Sequence, residues 1–313
     1  MSDVTTVKKK RILDQVLGGS FRQGSELLYP CVCCGHHKPK LSVNIDKGVY
    51  KCWICDYKGK SLRRLVRRYG DFNHVYQWRE FEEDPIDSDL KDLFVSIQEV
   101  EQVVELPEEF IPLARPPRPT DNRARKYLSS RGVTKQDILM WRLGYCPTGQ
   151  YANRIIIPSF SDKGDCSYFV ARSYDNKNWP PYLNGPGSKD VIFNDLLIDW
   201  GREVILVEGV FDAIAVGQNS IPLLGSTLRD DSKLFHKIIS NDTPVVMALD
   251  HDAKSKSLKI VKSLLTYDVE VRLMDTSGYK DVAEMTEHEI KKRIESAPFM
   301  NSTKYLTQIA EHL

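Results

Sequence analysis

Three acidic residues stand where apolar runs stop. In "EVILVEGVFDAIAVGQ", Glu208 follows the run ending at Val207 and precedes Gly209. In "PVVMALDHDAKSKSLKIVKSLL", Asp250 and Asp252 follow Val245–Leu249. No lysine is expected beside these carboxylates, so bringing them together costs charge repulsion. Hard divalent cations relieve it, and Mg²⁺ takes one or two carboxylates plus substrate phosphates. A pair of such ions activates a hydroxyl and stabilises a leaving pyrophosphate. Glu208 fits either a metal ligand or a base. Asp212, one helical turn later, and Asp281 in "GYKDVAEM" are further candidate ligands. Helix-capping Asp residues on solvent loops are the plain alternative.

A second constellation lies near the start. "PCVCCGHH" and "KCWIC" place Cys31 and Cys34 against Cys52 and Cys55, two C-x2-C pairs. Four soft ligands in that pattern suit tetrahedral Zn²⁺. Gly35 follows, where such a knuckle needs positive φ. Cys33 or His36 as a ligand is the rival pairing. The chain has seven cysteines and no export signal. That favours metal thiolates in a reducing compartment over disulfides.

The acids need a scaffold. Strand–helix–strand repetition over Glu203–Val207, Val245–Leu249 and "VEVRLMD" predicts a parallel sheet. Sites in such sheets lie at the carboxyl edge of the strands. Extended backbone, with period-two side chains, then sets Asp250 and Asp252 on one side. Two short helices are expected across 121–144, with Thr134 capping the second through Asp137. "NRIIIPSF" and "SYFVARSY" read as strands.

The cysteine pairs need a hairpin. Leu41, Val43 and Ile45 alternate with polar residues, Asp46-Lys47-Gly48 turns, and Val49–Lys51 returns, which makes a zinc ribbon. "SLRRLVRRYG" follows with helical spacing at Leu62, Leu65, Val66 and Tyr69. Arg63, Arg64, Arg67 and Arg68 fall on its other side, and Gly70 ends it. With Lys38, Lys40, Lys51, Lys58, Lys60 and an exposed Trp53 or Tyr50, these cations predict a surface for single-stranded nucleic acid. The Lys8–Arg11 run reads as a disordered tail.

The 313 residues suit two or three domains. The net charge of +1 hides a segregation: residues 1–70 carry 15 Lys and Arg against 5 Asp and Glu, and residues 71–112 carry 2 against 13. The basic head points to a polyanionic partner. The acidic stretch, followed by Pro107, Pro112, Pro116, Pro117 and Pro119, reads as a semi-rigid tether with a short helix near Leu90–Val100. No apolar run is long enough to span a bilayer, and no signal peptide is visible, so a cytoplasmic location is expected.

"VEGVFDAIA" with "ALDHDA" resembles the Toprim module of primases, topoisomerases and some nucleases. "NRIIIPSF…YFVARSY…PYLNGPGSKDVIF" resembles the basic segment that precedes Toprim in phage and bacterial replicative DNA primases. The zinc ribbon completes their order, and "KPKLSV" with "YKCWICDYKG" looks most like the T4-type phage members. The likeness spans about residues 25–290. It implies five parts: a zinc-ribbon template-binding domain at 1–70, a linker at 71–119, a basic α+β subdomain at 120–198, a Toprim α/β catalytic subdomain at 199–290, and a helical tail at 291–313. It also implies primer synthesis from NTPs on a single-stranded DNA template with Mg²⁺ or Mn²⁺, structural Zn²⁺, a replicative helicase partner and no membrane. Carried onto this chain, Glu208, Asp212, Asp250, Asp252 and Asp281 match the acidic site, and Arg154, Arg172 and Lys189 match positions that hold template or triphosphate. Pro181 stands where the family often has Lys, and Ala283, with Glu284 beside it, where it often has a second acid. A zinc–Toprim recombination mediator and a Toprim nuclease are the competing functions; a topoisomerase would need more chain.

Overall fold

The computed structural model describes residues 3–24, 26–55, 57–79, 81, 102–175, 178–217, 219–225, 227–267 and 269–310. The chain divides into two units, Met1–Ile97 and Gln98–Leu313, taken separately below.

Among the described residues, unit 1 is a five-stranded antiparallel sheet with three helices. The strands are β1 (Phe21–Gln23), β2 (Glu26–Tyr29), β3 (Leu41–Asn44), β4 (Val49–Cys52) and β5 (Lys58–Gly59), in that spatial order. The expected hairpin is β3–β4, with Leu41 opposite Cys52. The helices are α1 (Asp3–Leu17), α2 (Leu62–Tyr69) and α3 (Phe72–Arg79). So Lys8–Arg11 is not a disordered tail. Ile12, Leu13 and Leu17 are buried, and that apolar stripe holds the cationic run in a helix. Lys9 lies 5.6 Å from the Trp78 ring. Asp14 accepts from Ser20 Oγ at 2.7 Å and Tyr29 Oη at 3.0 Å, which fastens α1 to β2. Gly70 closes α2, but with φ −91° rather than a left-handed turn. It is needed for room, because an added Cβ would meet the Val66 carbonyl at 2.5 Å.

Among the described residues, unit 2 holds two sheets. The antiparallel one orders β10-β9-β8-β7-β6: β6 (Ile111–Pro112), β7 (Gly144–Cys146), β8 (Arg154–Phe160), β9 (Cys166–Ser173) and β10 (Tyr182–Asn184). Helices α4 (Asn122–Ser130) and α5 (Lys135–Met140) precede β7. The Thr134 hydroxyl accepts from Asp137 N at 3.2 Å, the anticipated cap. The parallel sheet orders β12-β11-β13-β14: β11 (Val204–Val207), β12 (Ser220–Pro222), β13 (Val245–Met247) and β14 (Val271–Leu273). Its helices are α6 (Val210–Val216), α7 (Lys233–Ser240), α8 (Lys254–Thr266), α9 (Glu287–Ser296) and α10 (Ser302–Ala310). Strand residues alternate between two cores. Ile205, Val207 and Val246 face one, with Phe211 and Ile214; Val204, Leu206, Val245 and Met247 face the other, with Phe235 and Val261. Burial on both faces is why these strands read as unbroken apolar runs.

On either side of 82–101 the expected tether carries ordered structure. Residues 72–79 form α3. Val104 N donates to Cys166 O at 2.8 Å, β6 pairs with β7, and Leu113 is buried. Arg115 then clasps the fully buried Asp121 with two bonds of 2.8 and 3.0 Å. Pro112 lies in β6 and Pro119 opens a 3-10 turn, while Val104 and Leu113 are buried in the core. The helix expected near Leu90–Val100 lies outside the described residues.

Candidate functional site

Unit 1 gathers Cys31, Cys34, Cys52 and Cys55, with their sulfurs within 4.8 Å of one another. Cys31 follows β2 and Cys52 ends β4, so sheet register supplies two ligands. Gly35 at φ +58° turns the knuckle, and its N–H reaches Cys31 O at 2.9 Å. The Cys31–Cys55 and Cys34–Cys52 sulfur separations are 3.7 and 3.9 Å. A tetrahedral ion about 2.3 Å from each sulfur requires an edge of about 3.8 Å, so the quartet suits structural zinc. Burial pushes the Cys31 thiol up to about 11 and Cys55 up as well. Burial also raises Cys52, but N–H groups of Cys55 and Ile54 and the thiols of Cys31 and Cys55 outweigh it and leave Cys52 below its ordinary value. Cys33 and His36 stand outside the cluster. His36 Nδ1 instead meets Lys38 N at 3.1 Å.

Beside the knuckle, Trp53 is 66% exposed, with Lys51 Nζ 4.8 Å above its ring. Trp53 N donates to Lys40 O at 3.0 Å, and Lys38 is exposed next to it. Tyr50, the alternative stacking residue, is buried. The arginine face departs from expectation. Arg64 is buried and Arg63 and Arg68 are half-buried, because α2 packs against both α1 and α3. Arg68 lies over the Tyr69 ring. The Arg67 side chain lies outside the described residues.

In unit 2, β11 and β13 are parallel neighbours, Leu206 opposite Met247. Glu208 and Asp250 leave the same sheet edge, and Glu208, Asp250 and Asp252 offer oxygens within 4.8 Å of one another. The route differs from strand alternation. β13 stops at Met247, and Asp252 sits in the single 3-10 turn His251–Ala253, which folds it back. A lysine is also present: Lys256 Nζ donates to Glu208 Oε1 at 2.7 Å. Burial first, then the charges of Asp212, Glu208 and Asp281, pushes the Asp250 carboxyl up to about 7. Asp212 rises to about 6, chiefly through burial. Its two oxygens accept from Gly209 N at 2.9 Å and Ala283 N at 3.2 Å. It therefore ties the start of α6 to the loop carrying Asp281, and it stands apart from the three-acid group. Asp250 Oδ1 and Asp281 Oδ1 are buried and accept no hydrogen bond. Orphaned anionic acceptors among hard oxygen donors fit a divalent cation. Glu284, by contrast, takes Lys280 N at 3.1 Å.

The three basic positions separate. Arg154 is buried at the start of β8 and donates to Pro180 O at 2.7 Å and Pro181 O at 3.2 Å. Its guanidinium holds that loop through two of its five N–H groups. Arg172 Nε donates to the Tyr127 hydroxyl at 2.9 Å, with the Tyr182 ring 4.6 Å away. Lys189 is exposed and shares a cavity of about 470 Å³ with Arg229. Sequence reading missed Lys256 and Arg229. Lys256 had a signal, since it lies four residues after Asp252 at the start of a helix.

Lys256 pairs with the same Glu208 carboxylate that would help hold a divalent ion. Replacing Lys256 by Met is expected to tighten Mn²⁺ binding about three- to tenfold, read by electron paramagnetic resonance titration; a tenfold change is ~1.4 kcal/mol. Equal affinities would mean that the pair does not compete.

No protein-family model matches the chain. Among curated proteins it is similar to the DNA primase of Thermotoga maritima, 24% identical over 315 residues covering 83% of this chain and 54% of that protein. It is also similar to that of Clostridium acetobutylicum, 25% identical over 73% of this chain and 46% of that protein. The chain thus spans about half the length of these relatives. In fold it is similar to the zinc-binding and RNA polymerase domains of Aquifex aeolicus primase, with a TM-score of 0.51 and 19% identity over 96% of this chain and 87% of that one. The E. coli primase catalytic core gives a TM-score of 0.52 at 16% identity over 62% and 79% of the two chains. In sequence and in fold, the chain resembles DNA primases. Among the described residues, no helix is long and apolar enough to cross a membrane.

Proposed function

We propose that this chain is a DNA primase that joins ribonucleotides into short primers on single-stranded DNA. The observation that carries this is the meeting of Glu208, Asp250 and Asp252 at one sheet edge. The four-cysteine unit, and the likeness to primases over 83% of the chain, support it over the alternatives. A primase catalytic domain solved with single-stranded DNA, with a TM-score of 0.50 to this chain over 58% of it, supports a DNA template.

Each residue then has a task. Glu208, Asp250 and Asp252 would hold Mg²⁺ or Mn²⁺, with Asp281 an orphaned acceptor nearby. A bound ion there supplies the positive charge that a 3′-hydroxyl and an α-phosphate need for in-line displacement. Asp212 keeps the two acid-bearing loops in register through its N–H bonds. Lys189 and Arg229 line a cavity fit for triphosphate oxygens, and Arg172 braces the sheet through Tyr127. Trp53, Lys51, Lys40 and Lys38 grip template by stacking and charge. The cytoplasm is the compartment, and a replicative helicase the partner, that this activity implies.

Incubation with single-stranded DNA, labelled NTPs and Mg²⁺ separates the readings. RNA oligomers support a primase, DNA cleavage a nuclease, and no product a mediator. Trp53→Ala is expected to weaken single-strand binding about 5- to 150-fold, the loss of ~1–3 kcal/mol for one stacked base. Fluorescence anisotropy of a labelled oligonucleotide checks it, with zinc content unchanged as the control.

A further inference from the structure

Two buried donors in unit 2 bond to nothing. The Trp141 side chain, 3% exposed, and that of Asn194, 2% exposed, line one cavity of about 270 Å³. Trp141 Nε1 and Asn194 Nδ2 have no hydrogen-bond partner among the described residues. The Asn194 amide is oriented by its other end, since Oδ1 accepts from Phe160 N at 3.2 Å. A buried donor left unpaired costs stability, so the pair calls for acceptor oxygens.

The cavity lies far from the chemistry. Ser220, in its wall, begins β12 beside Ile205 of β11, which places it at the amino edge of the parallel sheet. Glu208, Asp250 and Asp252 stand at the opposite edge. An occupant here leaves the acidic cluster open.

The other walls define that occupant. Met140, Leu197 and Ile198 supply apolar surface. At about 270 Å³ the space falls just below the roughly 300–1,000 Å³ of sites for whole small ligands, so one side chain fills it. Arg202 adds a cation. Asp199 meets its Nε at 3.4 Å and also takes Gly201 N at 3.0 Å, while the two terminal nitrogens of Arg202 have no partner among the described residues. A carboxylate, with two oxygens and about four acceptor sites, answers both orphan donors and the guanidinium together. The surroundings then favour a polypeptide over a free small acid. Leu197 is exposed, as are Leu196 next to it and Leu139 next to Met140. A chain continuing out of the cavity covers such leucines, whereas a small acid or ordered water leaves them bare.

We propose that this cavity receives the last residue of a partner polypeptide, an apolar side chain entering between Met140 and Leu197 and the terminal carboxylate meeting Trp141, Asn194 and Arg202. The site stands independently of the primase reading.

The full chain is titrated with acetyl-Gly-Gly-Leu, with the same peptide amidated at its carboxyl end, and with isocaproate. Binding is followed by heteronuclear NMR at the indole N–H of Trp141, assigned through Trp141→Phe. That signal should shift with the free-acid peptide. The amide and isocaproate should each bind about tenfold more weakly or worse, since each lacks one part of the contact. Arg202→Glu, at an exposed position, and Asn194→Asp, which keeps Oδ1 and replaces the donor with an acceptor, should each raise the peptide Kd about tenfold or more. Arg202→Glu should melt and make primers as wild type does, which separates lost binding from lost folding. Equal binding of acid and amide, or wild-type affinity in Arg202→Glu, overturns the carboxylate. An unmoved Trp141 signal assigns the donors to water and overturns the site. Isocaproate binding as tightly as the peptide overturns the polypeptide partner.

Discussion

Asp250→Ala should reduce primer synthesis at least about a thousandfold, a loss of ~4 kcal/mol of transition-state stabilisation. The size follows from position. Asp250 shares the three-acid group with Glu208 and Asp252 and carries a buried oxygen that accepts no hydrogen bond, an acceptor left for an ion. Asp250→Asn should fail nearly as far, because it keeps the shape and removes the charge. Zinc content and single-strand affinity should persist in both, since the cysteine quartet and the proposed template surface lie in unit 1. Primer yield equal to wild type would remove the acidic cluster from the chemistry.

The same residue sets a pH dependence. Its folded value of about 7 lies above the ordinary 3.8. The folded chain therefore holds a proton between these values that the unfolded chain has released. Stability from this group is full below about 4 and is lost as pH rises through about 7. Asp212 acts in the same direction over a window ending near 6. With metal chelated, unit 2 should melt at a higher temperature at pH 5 than at pH 8. Asp250→Ala should shrink that difference, and Mn²⁺ should offset it by neutralising the carboxylates at high pH. Metal affinity should fall below pH 7, where Asp250 is protonated. A flat melting profile in the chelated protein would show that Asp250 is not held as described.

Cys52→Ser, or exhaustive zinc chelation, should unfold unit 1 and leave unit 2 folded. Cys52 ends β4 opposite Leu41, and both are fully buried. Removing the ion loosens the middle of the sheet where it is most enclosed. Zinc binding in small domains carries an apparent ~10–16 kcal/mol at neutral pH, which exceeds what a unit of this size draws from its core. Hydrogen exchange should show protection lost at Tyr29, Leu41 and Tyr50, with β11 and β13 unchanged. Primer yield on single-stranded template should fall at least about tenfold. Retained protection at Leu41 would mean that the three helices stabilise the unit without metal.

Short-range signals were legible in the sequence. The C-x2-C pairs, the Thr134–Asp137 cap, the runs before Glu208 and Asp250 and the spacing of α2 all depend on residues within a few positions. What was hidden depends on distant partners. Lys256 meets Glu208 across 48 residues. Arg154 looked like a site cation, but its partners are carbonyls 26 and 27 residues away. The cationic run in α1 masked the stripe of Ile12, Leu13 and Leu17, which has meaning only once α1 packs with α2 and α3. The segment at 102–119 looked solvent-exposed because proline counts against regular structure, yet Ile111–Pro112 is a strand.

That strand has a consequence for how the molecule behaves in company. The antiparallel sheet of unit 2 ends on β6 at one side and β10 at the other. Pro112 lies in the first, and Pro180 and Pro181 lead directly into the second. A proline nitrogen has no hydrogen to offer a newcomer. Both open borders of the sheet are thus poor templates for a stray chain, which protects against the edge-to-edge clumping that exposed ladders invite.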